Sequence, residues 1–134
     1  MEKKLKHLEF IQNVITRMNT NSFLIKGWSV TLVSALFALA AKDANMRFMP
    51  ISFIAILAFW ILDGFFLATE RRYRALYEEV RHKDEKDIDF SMNAEKFNCK
   101  YTWRSGVFSN TLILFYLISI ASALFVLLIF FQMK

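Results

Sequence analysis

Long apolar stretches alternate with charged segments along this chain of 134 residues. The three stretches are built around the sequences GWSVTLVSALFALAA, FMPISFIAILAFWIL and TLILFYLISIASALFVLLIFF. A helix that crosses a bilayer needs about 20 predominantly apolar residues, and each stretch reaches that length once its apolar flanks are counted. The pattern therefore predicts an all-α integral membrane protein whose transmembrane helices span residues 22–41, 48–69 and 107–132.

The charged segments carry helical patterns of their own. Apolar residues recur every three or four positions within residues 3–19, which predicts an amphipathic helix that lies on the inner leaflet or packs on another helix. No glycine or proline follows residue 69 until well past residue 82, so the second transmembrane helix is expected to continue to about residue 82. Its extension carries an apolar stripe, which we interpret as a cytoplasmic interaction face formed by Tyr73, Leu76, Tyr77 and Val80.

The remaining segment, residues 83–105, begins with the highly charged sequence KDEKDIDFSMN. Such a sequence is typical of a loop or a single helical turn, and the residues after it lead back to the membrane. The chain contains no internal repeat and no low-complexity linker. We therefore expect residues 1–134 to form a single membrane domain.

Composition supports a membrane environment, since 56% of the residues are hydrophobic. The first apolar stretch ends in ALAAKD, which has the small-residue spacing of a signal-peptidase site. The alternative to a first transmembrane helix is therefore a cleaved signal peptide. We disfavour it because the preceding segment is long and patterned, whereas the start of a signal peptide is short and simply basic.

The distribution of lysine and arginine predicts the orientation. Residues 1–26 hold five of them and residues 70–104 hold nine, whereas residues 42–47 hold two and the C-terminal residue is one more. The positive-inside rule then places the N-terminus in the cytoplasm and the C-terminus outside. Charges of both signs balance in residues 63–104, so the net charge of +5 does not indicate nucleic-acid binding.

Asp63 interrupts the second apolar stretch before that stretch has ended. The first two transmembrane helices form a predicted hairpin centred between Ala44 and Asn45, and Lys26 and Asp63 lie equally far from that centre. Both charges should therefore lie at one depth on neighbouring helices. Pairing reduces the cost of a charge within a membrane, so we interpret Asp63 as the counter-ion of Lys26. The alternatives are a carboxylate on an ion or proton pathway and a charge that snorkels to the interface.

Small residues line one narrow face of the first transmembrane helix and part of the third. Such faces allow helices to approach closely in lipid. We favour a role in packing within the three-helix unit, and the alternatives are contact between subunits and the weakly polar lining of a pore. Three helices bury little surface alone, so we expect a homo-oligomer. The residues are Gly27, Thr31, Ser34 and Ala38 in the first helix and Ser119 and Ser122 in the third.

No motif in the sequence indicates catalysis. It contains no glycine-rich phosphate loop, no metal-ligand spacing and no candidate catalytic triad, so we expect no enzymatic activity, no cofactor and no metal ion. His7 and His82 stand far apart, and each is expected to be a solvated surface residue. The single Cys99 can form no internal disulfide.

The segments NSFLIKGWSVTLVSALFALA and FWILDGFFLATERRYRALYEEV resemble small multi-pass bacterial membrane proteins, including the membrane effector modules of nucleotide-signalled antiphage defence. The resemblance covers roughly residues 20–82, and it implies a location in a bacterial inner (cytoplasmic) membrane. It implies an oligomeric effector or channel whose assembly permeabilises or perturbs the bilayer. Those modules join a sensor domain to the membrane part, whereas this chain has only a short helical segment in that place.

The alternative function is a membrane anchor or adaptor. In that case residues 1–20 and 70–104 would hold a cytoplasmic protein partner at the bilayer. A transporter is disfavoured because the sequence has neither a pair of broken helices nor an inverted repeat.

Overall fold

A computed structural model of the chain describes residues 1–43 and 45–133. Two residues on which predictions fall, Ala44 at the centre of the first turn and Lys134 at the C-terminus, lie outside this range. The described residues form four α-helices and contain no strand. The helices are α1 (Glu2–Asp43), α2 (Phe48–His82), α3 (Trp103–Val107) and α4 (Asn110–Gln132), with short 3₁₀ helices at Glu85–Asp87 and Glu95–Phe97 between α2 and α3.

Three of the helices, α1, α2 and α4, are long and apolar enough to cross a membrane. Many large apolar side chains on them point away from the protein, as they do in helices that face lipid. Trp28 on α1 is 65% exposed, and Ile54, Leu114 and Phe125 are similarly open. The protein is thus all-helical, and its three apolar helices are those of a membrane protein.

The first helix is continuous over 42 residues. The predicted amphipathic helix and the first predicted transmembrane helix are therefore two parts of one rod. The polar sequence NTNS between them does not break it, because these residue types cost well under about 1 kcal/mol each in a helix interior and neither glycine nor proline is present. At 1.5 Å per residue α1 is about 63 Å long, roughly twice the thickness of the hydrocarbon core.

The second helix also extends well beyond a bilayer and ends at His82, where the prediction places its end. Lys83 then adopts an extended conformation with φ −87° and ψ 148°. Pro50 lies in the first turn of α2, where the ring is tolerated because backbone N–H groups there have no partner within the helix.

The return to the apolar part of the protein is broken into two helices. Thr102 caps α3 through a hydrogen bond from the Ser105 N–H at 3.2 Å, and Ser109 caps α4 through one from the Leu112 N–H at 3.4 Å. Helix α4 consequently starts at Asn110, whereas the hydropathy pattern places the start of the last transmembrane helix at residue 107. The hydropathy pattern cannot reveal this break, because each helix cap depends on the hydroxyl group of a single residue.

The protein has two cores, one in each half of its length. What we call the apolar bundle comprises residues 22–43, residues 48–69 and α4, and its core is built from Val33, Ile56, Leu112, Tyr116 and Ala123. What we call the polar bundle comprises residues 1–21 and 70–102, and its core is built from Ile11, Ile15, Leu76, Val80, Ile88 and Ala94. Helix α2 lies between α1 and α4, so it forms the main packing partner of both.

Candidate functional site

A polar cluster lies where the two bundles meet, and Asp63 is at its centre. The structure brings Lys26 and Asp63 together, with Lys26 Nζ 2.6 Å from Asp63 Oδ2. The Asp63 side chain is 0% exposed, while that of Lys26 is 20% exposed. The carboxylate is therefore a buried charge on α2 whose compensating charge comes from α1.

Both oxygens of the Asp63 carboxylate accept hydrogen bonds from side chains of other helices. Oδ1 accepts from the hydroxyl of Ser22, and Oδ2 accepts from Lys26 and from the hydroxyl of Tyr116 at 3.0 Å. Lys26 also donates to Ser22 Oγ at 2.9 Å, which closes a ring of three side chains. The cluster thus joins α1, α2 and α4 through one carboxylate.

Aromatic rings surround the cluster on the side of α4. The Tyr116 ring is fully buried and stacks on Trp60, with centroids 5.8 Å apart and planes 8° from parallel. The Trp60 indole N–H donates to the Val107 carbonyl at 2.8 Å, and Lys26 Nζ lies 5.9 Å from the Phe115 ring centroid. In such a low-dielectric setting an ion pair needs close geometry and further hydrogen bonds to offset desolvation, and this cluster has both.

This geometry favours the interpretation of Asp63 as a counter-ion. An ion- or proton-pathway carboxylate needs a position from which it can exchange its partner, whereas Asp63 is buried and already has three protein donors. A snorkelling charge would reach toward the interface, whereas Asp63 is turned inward onto Tyr116.

Two glycines allow α2 and α3 to approach each other closely near this cluster. A Cβ added at Gly64 would lie 2.8 Å from the Val107 Cα, and one added at Gly106 would lie 3.1 Å from the Ala68 Cβ. The backbone of α2 and the backbone of α3 therefore meet directly. This contact positions the start of α4, and so the hydroxyl of Tyr116, against Asp63.

The predicted small-residue face of α1 lies on the outside of the chain. Gly27, Thr31, Ser34 and Ala38 are all exposed, and no atom lies within 4 Å of the position that a Gly27 Cβ would take. The favoured prediction, that this face packs within the three-helix unit, is therefore wrong for these four residues. Helix α1 instead packs on α2 through a different face that contains Ser29, Val33 and Ala40.

A groove of about 310 Å³ runs between α1 and α4 beside the small-residue face. Ser34, Ser119 and Ser122 all line it, together with Phe37 and Phe115. The hydroxyls of Ser119 and Ser122 donate to carbonyls of their own helix at 3.0 and 2.9 Å, so they are satisfied without a partner. Three of the predicted pore-lining residues are thus brought to one surface, whereas Thr31 does not line it and donates to the Gly27 carbonyl at 2.9 Å.

The predicted interaction face of α2 is covered by the chain itself. Leu76 and Val80 are buried in the core of the polar bundle, and Tyr73 and Tyr77 pack against that core. The apolar stripe is occupied because Ile11 and Ile15 of α1 lie over it. Ile88 also lies over it and belongs to what we call the connecting segment, residues 83–102 between α2 and α3. We correct the prediction accordingly: these four residues are internal packing and do not form an open surface for a partner.

An ion-pair network holds the connecting segment against the end of α2. Glu79 Oε1 accepts hydrogen bonds from Lys83 at 2.5 Å and from Lys96 at 2.6 Å. The hydrogen bonds from Lys83 and then Lys96 hold the pKa of the Glu79 carboxyl below its usual range. The same contact with Glu79 raises the pKa of the Lys83 ammonium.

The two histidines occupy opposite environments. His82 is on the surface as expected, with a side chain that is 73% exposed. His7 is only 5% exposed, so its prediction as a solvated residue is wrong. The connecting segment folds back over α1 and covers His7, with the Phe90 ring edge-on to it at 5.5 Å between centroids.

Sequence reasoning missed two members of the Asp63 cluster. Ser22 lies four residues before Lys26, a spacing that puts both side chains on one helix face, and this signal was available. Tyr116 is the only residue with a polar tip in the sequence TLILFYLI apart from its first threonine, but its pairing with Asp63 depends on how α3 turns into α4.

Comparison with protein-family models, curated proteins and solved structures finds no match to this chain.

The described residues also contain no group of three His, Cys, Asp or Glu side chains that could hold a metal ion. The cluster at Asp63 therefore consists of one carboxylate and three donors. Chemically, such an arrangement stabilises a charge and joins helices.

Proposed function

We propose that this protein is a self-assembling membrane protein, and that contact between copies through the small-residue face of α1 creates a conducting path across the bilayer. The observation that carries the proposal is the exposure of Gly27, Thr31, Ser34 and Ala38 on a helix whose own packing uses another face.

Small side chains are not needed where a helix faces only lipid. Elsewhere on its exposed surface, α1 carries large residues in the same region, including Trp28, Leu32 and Leu39. In a bilayer the hydrophobic effect does not drive helices together, so association relies on the close van der Waals contact that small residues permit. A narrow strip of small residues among large ones therefore supports contact between copies.

The groove between α1 and α4 supports the conducting part of the proposal. It adjoins the small-residue face, and Ser34, Ser119 and Ser122 line it. A second copy that packs on α1 would turn this open groove into an enclosed one with hydroxyl groups on its wall. Hydroxyl-lined passages interact with water and ions more favourably than purely aliphatic ones do.

The proposal includes the location and orientation of the chain. The surplus of lysine and arginine in residues 1–26 and 70–104 supports an N-terminus in the cytoplasm and a C-terminus outside. A bacterial inner membrane and a role in antiphage defence rest on the resemblance of residues 20–82 to small bacterial membrane proteins and membrane effector modules.

Ion flux through liposomes that contain the purified protein tests the proposal. We expect flux that rises with protein density, and we expect Ser34→Phe to reduce it by about tenfold by blocking helix contact. Leu32→Phe is the matched control, because it lies two residues away at the same depth on an exposed face of large residues. If the protein is shown to be oligomeric but gives no flux, the proposed conducting path is wrong. If both variants reduce flux equally, the small-residue face of α1 is not the contact between copies.

An anchor or adaptor function is the second candidate. The observation that favours it is the separate core of the polar bundle, which makes residues 1–21 and 70–102 a defined platform beyond the apolar helices. Its partner would have to use the outer surface of this bundle, since the stripe at Leu76 and Val80 is covered. Two results together would favour this candidate: the purified chain conducts no ions, and a second protein co-purifies with it in equal amount.

A further inference from the structure

A groove of about 590 Å³ lies at the N-terminal end of α1, far from the Asp63 cluster. We call it the N-terminal groove. Phe10 of α1 and Phe90 and Met92 of the connecting segment form its apolar wall. Its volume falls in the range of about 300–1,000 Å³ that is typical of small-molecule sites, and its mostly apolar lining is typical as well.

A buried polar atom without a partner adjoins this wall. The His7 ring lines the groove, and its Nε2 atom is buried with no hydrogen-bond partner among the described residues. Buried polar atoms are nearly always paired, so an unpaired one indicates a missing partner.

The segment that covers His7 is held in an unusual backbone conformation. Phe90 has a φ of 55°, and it is the only residue of the described chain other than glycine with a positive φ. A bulky residue in the left-handed region is a true outlier, and such strain is concentrated at binding and switch sites. The conformation brings the Phe90 ring edge-on to the His7 ring, so that both rings belong to the wall of the groove.

The rim of the groove carries an excess of positive charge. Lys3 and Lys6 line it, and neither has a carboxylate within ion-pair distance in the described part of the chain. Glu2 is the one acidic residue on the rim. Two cations against one anion beside an apolar wall select a ligand that has a negative group attached to an apolar body.

We propose that the N-terminal groove is a binding site for a small apolar anion, such as an aromatic carboxylate, whose ring lies against Phe10, Phe90 and Met92 and whose anionic group meets Lys3, Lys6 and His7. Aromatic rings and a methionine thioether form favourable contacts with an aromatic body. The site does not depend on the proposed assembly through α1.

A bilayer lipid cannot be the ligand if the apolar bundle is in the membrane. His7 precedes Lys26 by nineteen positions, which corresponds to about 28 Å along the helix axis. Lipid headgroups at the depth of the Asp63 cluster are therefore too far from His7 to bind in the N-terminal groove. The ligand must instead be dissolved in water.

Histidine NMR on the whole protein in nanodiscs tests this inference directly, because the chain has only two histidines. Naphthalene-1-carboxylate is added to protein labelled with ¹³C and ¹⁵N in histidine. We expect saturable shifts of the His7 ring signals and none of the His82 signals. Naphthalene-1-carboxamide, which has the same body without the charge, should bind more weakly by roughly fivefold. An unchanged His7 signal, or equal shifts at both histidines, would overturn the inference.

Charge variants give the second arm of the experiment. Lys3→Gln with Lys6→Gln should weaken binding of the carboxylate by roughly fivefold, because two rim cations are lost. The control is Arg17→Gln with Lys42→Gln, which removes the same charge from exposed positions of α1 outside the groove. Equal affinity in both double variants would also overturn the inference. Decanoate in place of the naphthalene compound distinguishes an acyl body from an aromatic one.

Discussion

At the scale of single residues, Asp63 determines the chemistry of the apolar bundle. Its carboxylate is fully buried, and its three donors come from α1 and α4. Removing either member of a buried ion pair leaves an uncompensated charge, whereas removing both leaves none. The free-energy cost of a charge buried in the cluster is therefore greatest when only one member of the Lys26–Asp63 pair is present.

A double-mutant cycle measures this dependence. Asp63→Asn and Lys26→Met should each lower the free energy of unfolding by about 3 kcal/mol, and the double variant should recover about 1–2 kcal/mol of the summed loss. Tyr116→Phe is the control, because it keeps the stacked ring and should cost about 1 kcal/mol for one hydrogen bond. The measurement is unfolding in detergent together with folded yield. Strictly additive losses would show that the two charges do not stabilise each other.

Glu79 makes the polar bundle sensitive to acid. Because its folded-state pKa is lowered by Lys83 and Lys96, its contribution to stability is complete above the ordinary glutamate pKa and is lost as the pH falls through the folded-state value. As the pH falls from about 5 to below the ordinary glutamate pKa of about 4.3, wild-type protein should therefore lose more melting temperature than Glu79→Gln does. Glu78→Gln, one residue along the same helix, is the control and should behave like wild type. Identical acid sensitivity in all three proteins would contradict the role of the Glu79 network.

At the scale of elements, the contact between α2 and α3 depends on two glycines. Gly64→Ala should destabilise the protein by about 2–3 kcal/mol, because its Cβ would press on the Val107 backbone, which cannot rotate away. Gly27→Ala is the matched control. Its Cβ would meet no atom within 4 Å, so the change should be neutral or stabilise α1 by up to about 1 kcal/mol. Thermal unfolding of both variants in detergent, under conditions in which the protein is monomeric, checks this without any contribution from contact between copies. A loss at Gly27 as large as that at Gly64 would contradict the geometry.

Helix existence could be predicted from the sequence, whereas several helix contacts could not. Hydropathy locates α1, α2 and α4, and the lack of glycine and proline after residue 69 predicts the long extension of α2. The break between α3 and α4 depends on the side chains of Thr102 and Ser109, which any turn could use. Gly64 and Gly106 are distant in sequence, so only the folded chain reveals that their backbones meet.

The candidate site was also only partly predictable, because sequence spacing predicts contacts between two adjacent helices but not contacts across an irregular segment. Equal spacing of Lys26 and Asp63 from the hairpin centre is a property of two adjacent helices, and it predicts their meeting. Tyr116 joins them from a third helix across the irregular segment, where no periodicity applies. His7 is buried by a charged segment, and the charges alone suggested that this segment would not pack.

At the scale of the whole molecule, the orientation of the chain can be tested independently of its function. The basic surplus in residues 1–26 and 70–104 predicts that the C-terminus is outside the cytoplasm. A C-terminal alkaline phosphatase fusion should be active and a C-terminal green fluorescent fusion should be dark. An active N-terminal alkaline phosphatase fusion would contradict this orientation and indicate the reverse one.

We propose different roles for the two bundles. The apolar bundle exposes a strip of small residues beside a hydroxyl-lined groove, which supports assembly in the membrane. The polar bundle covers its own apolar stripe and presents the N-terminal groove at its far end. In this account, contact between copies belongs to the first bundle and ligand binding belongs to the second.

Disulfide cross-linking in native membranes tests the central claim, assembly through one face of α1, most directly. Cys99 is exposed and is first replaced by serine, and a cysteine is then placed at Ser34 or, as the control, at Leu32. The two positions are about 200° apart around the helix at one depth, so they differ mainly in the face they occupy. The account predicts rapid formation of cross-linked dimers through Ser34→Cys and little through Leu32→Cys. Equal cross-linking at both positions, or faster cross-linking at Leu32, would contradict it.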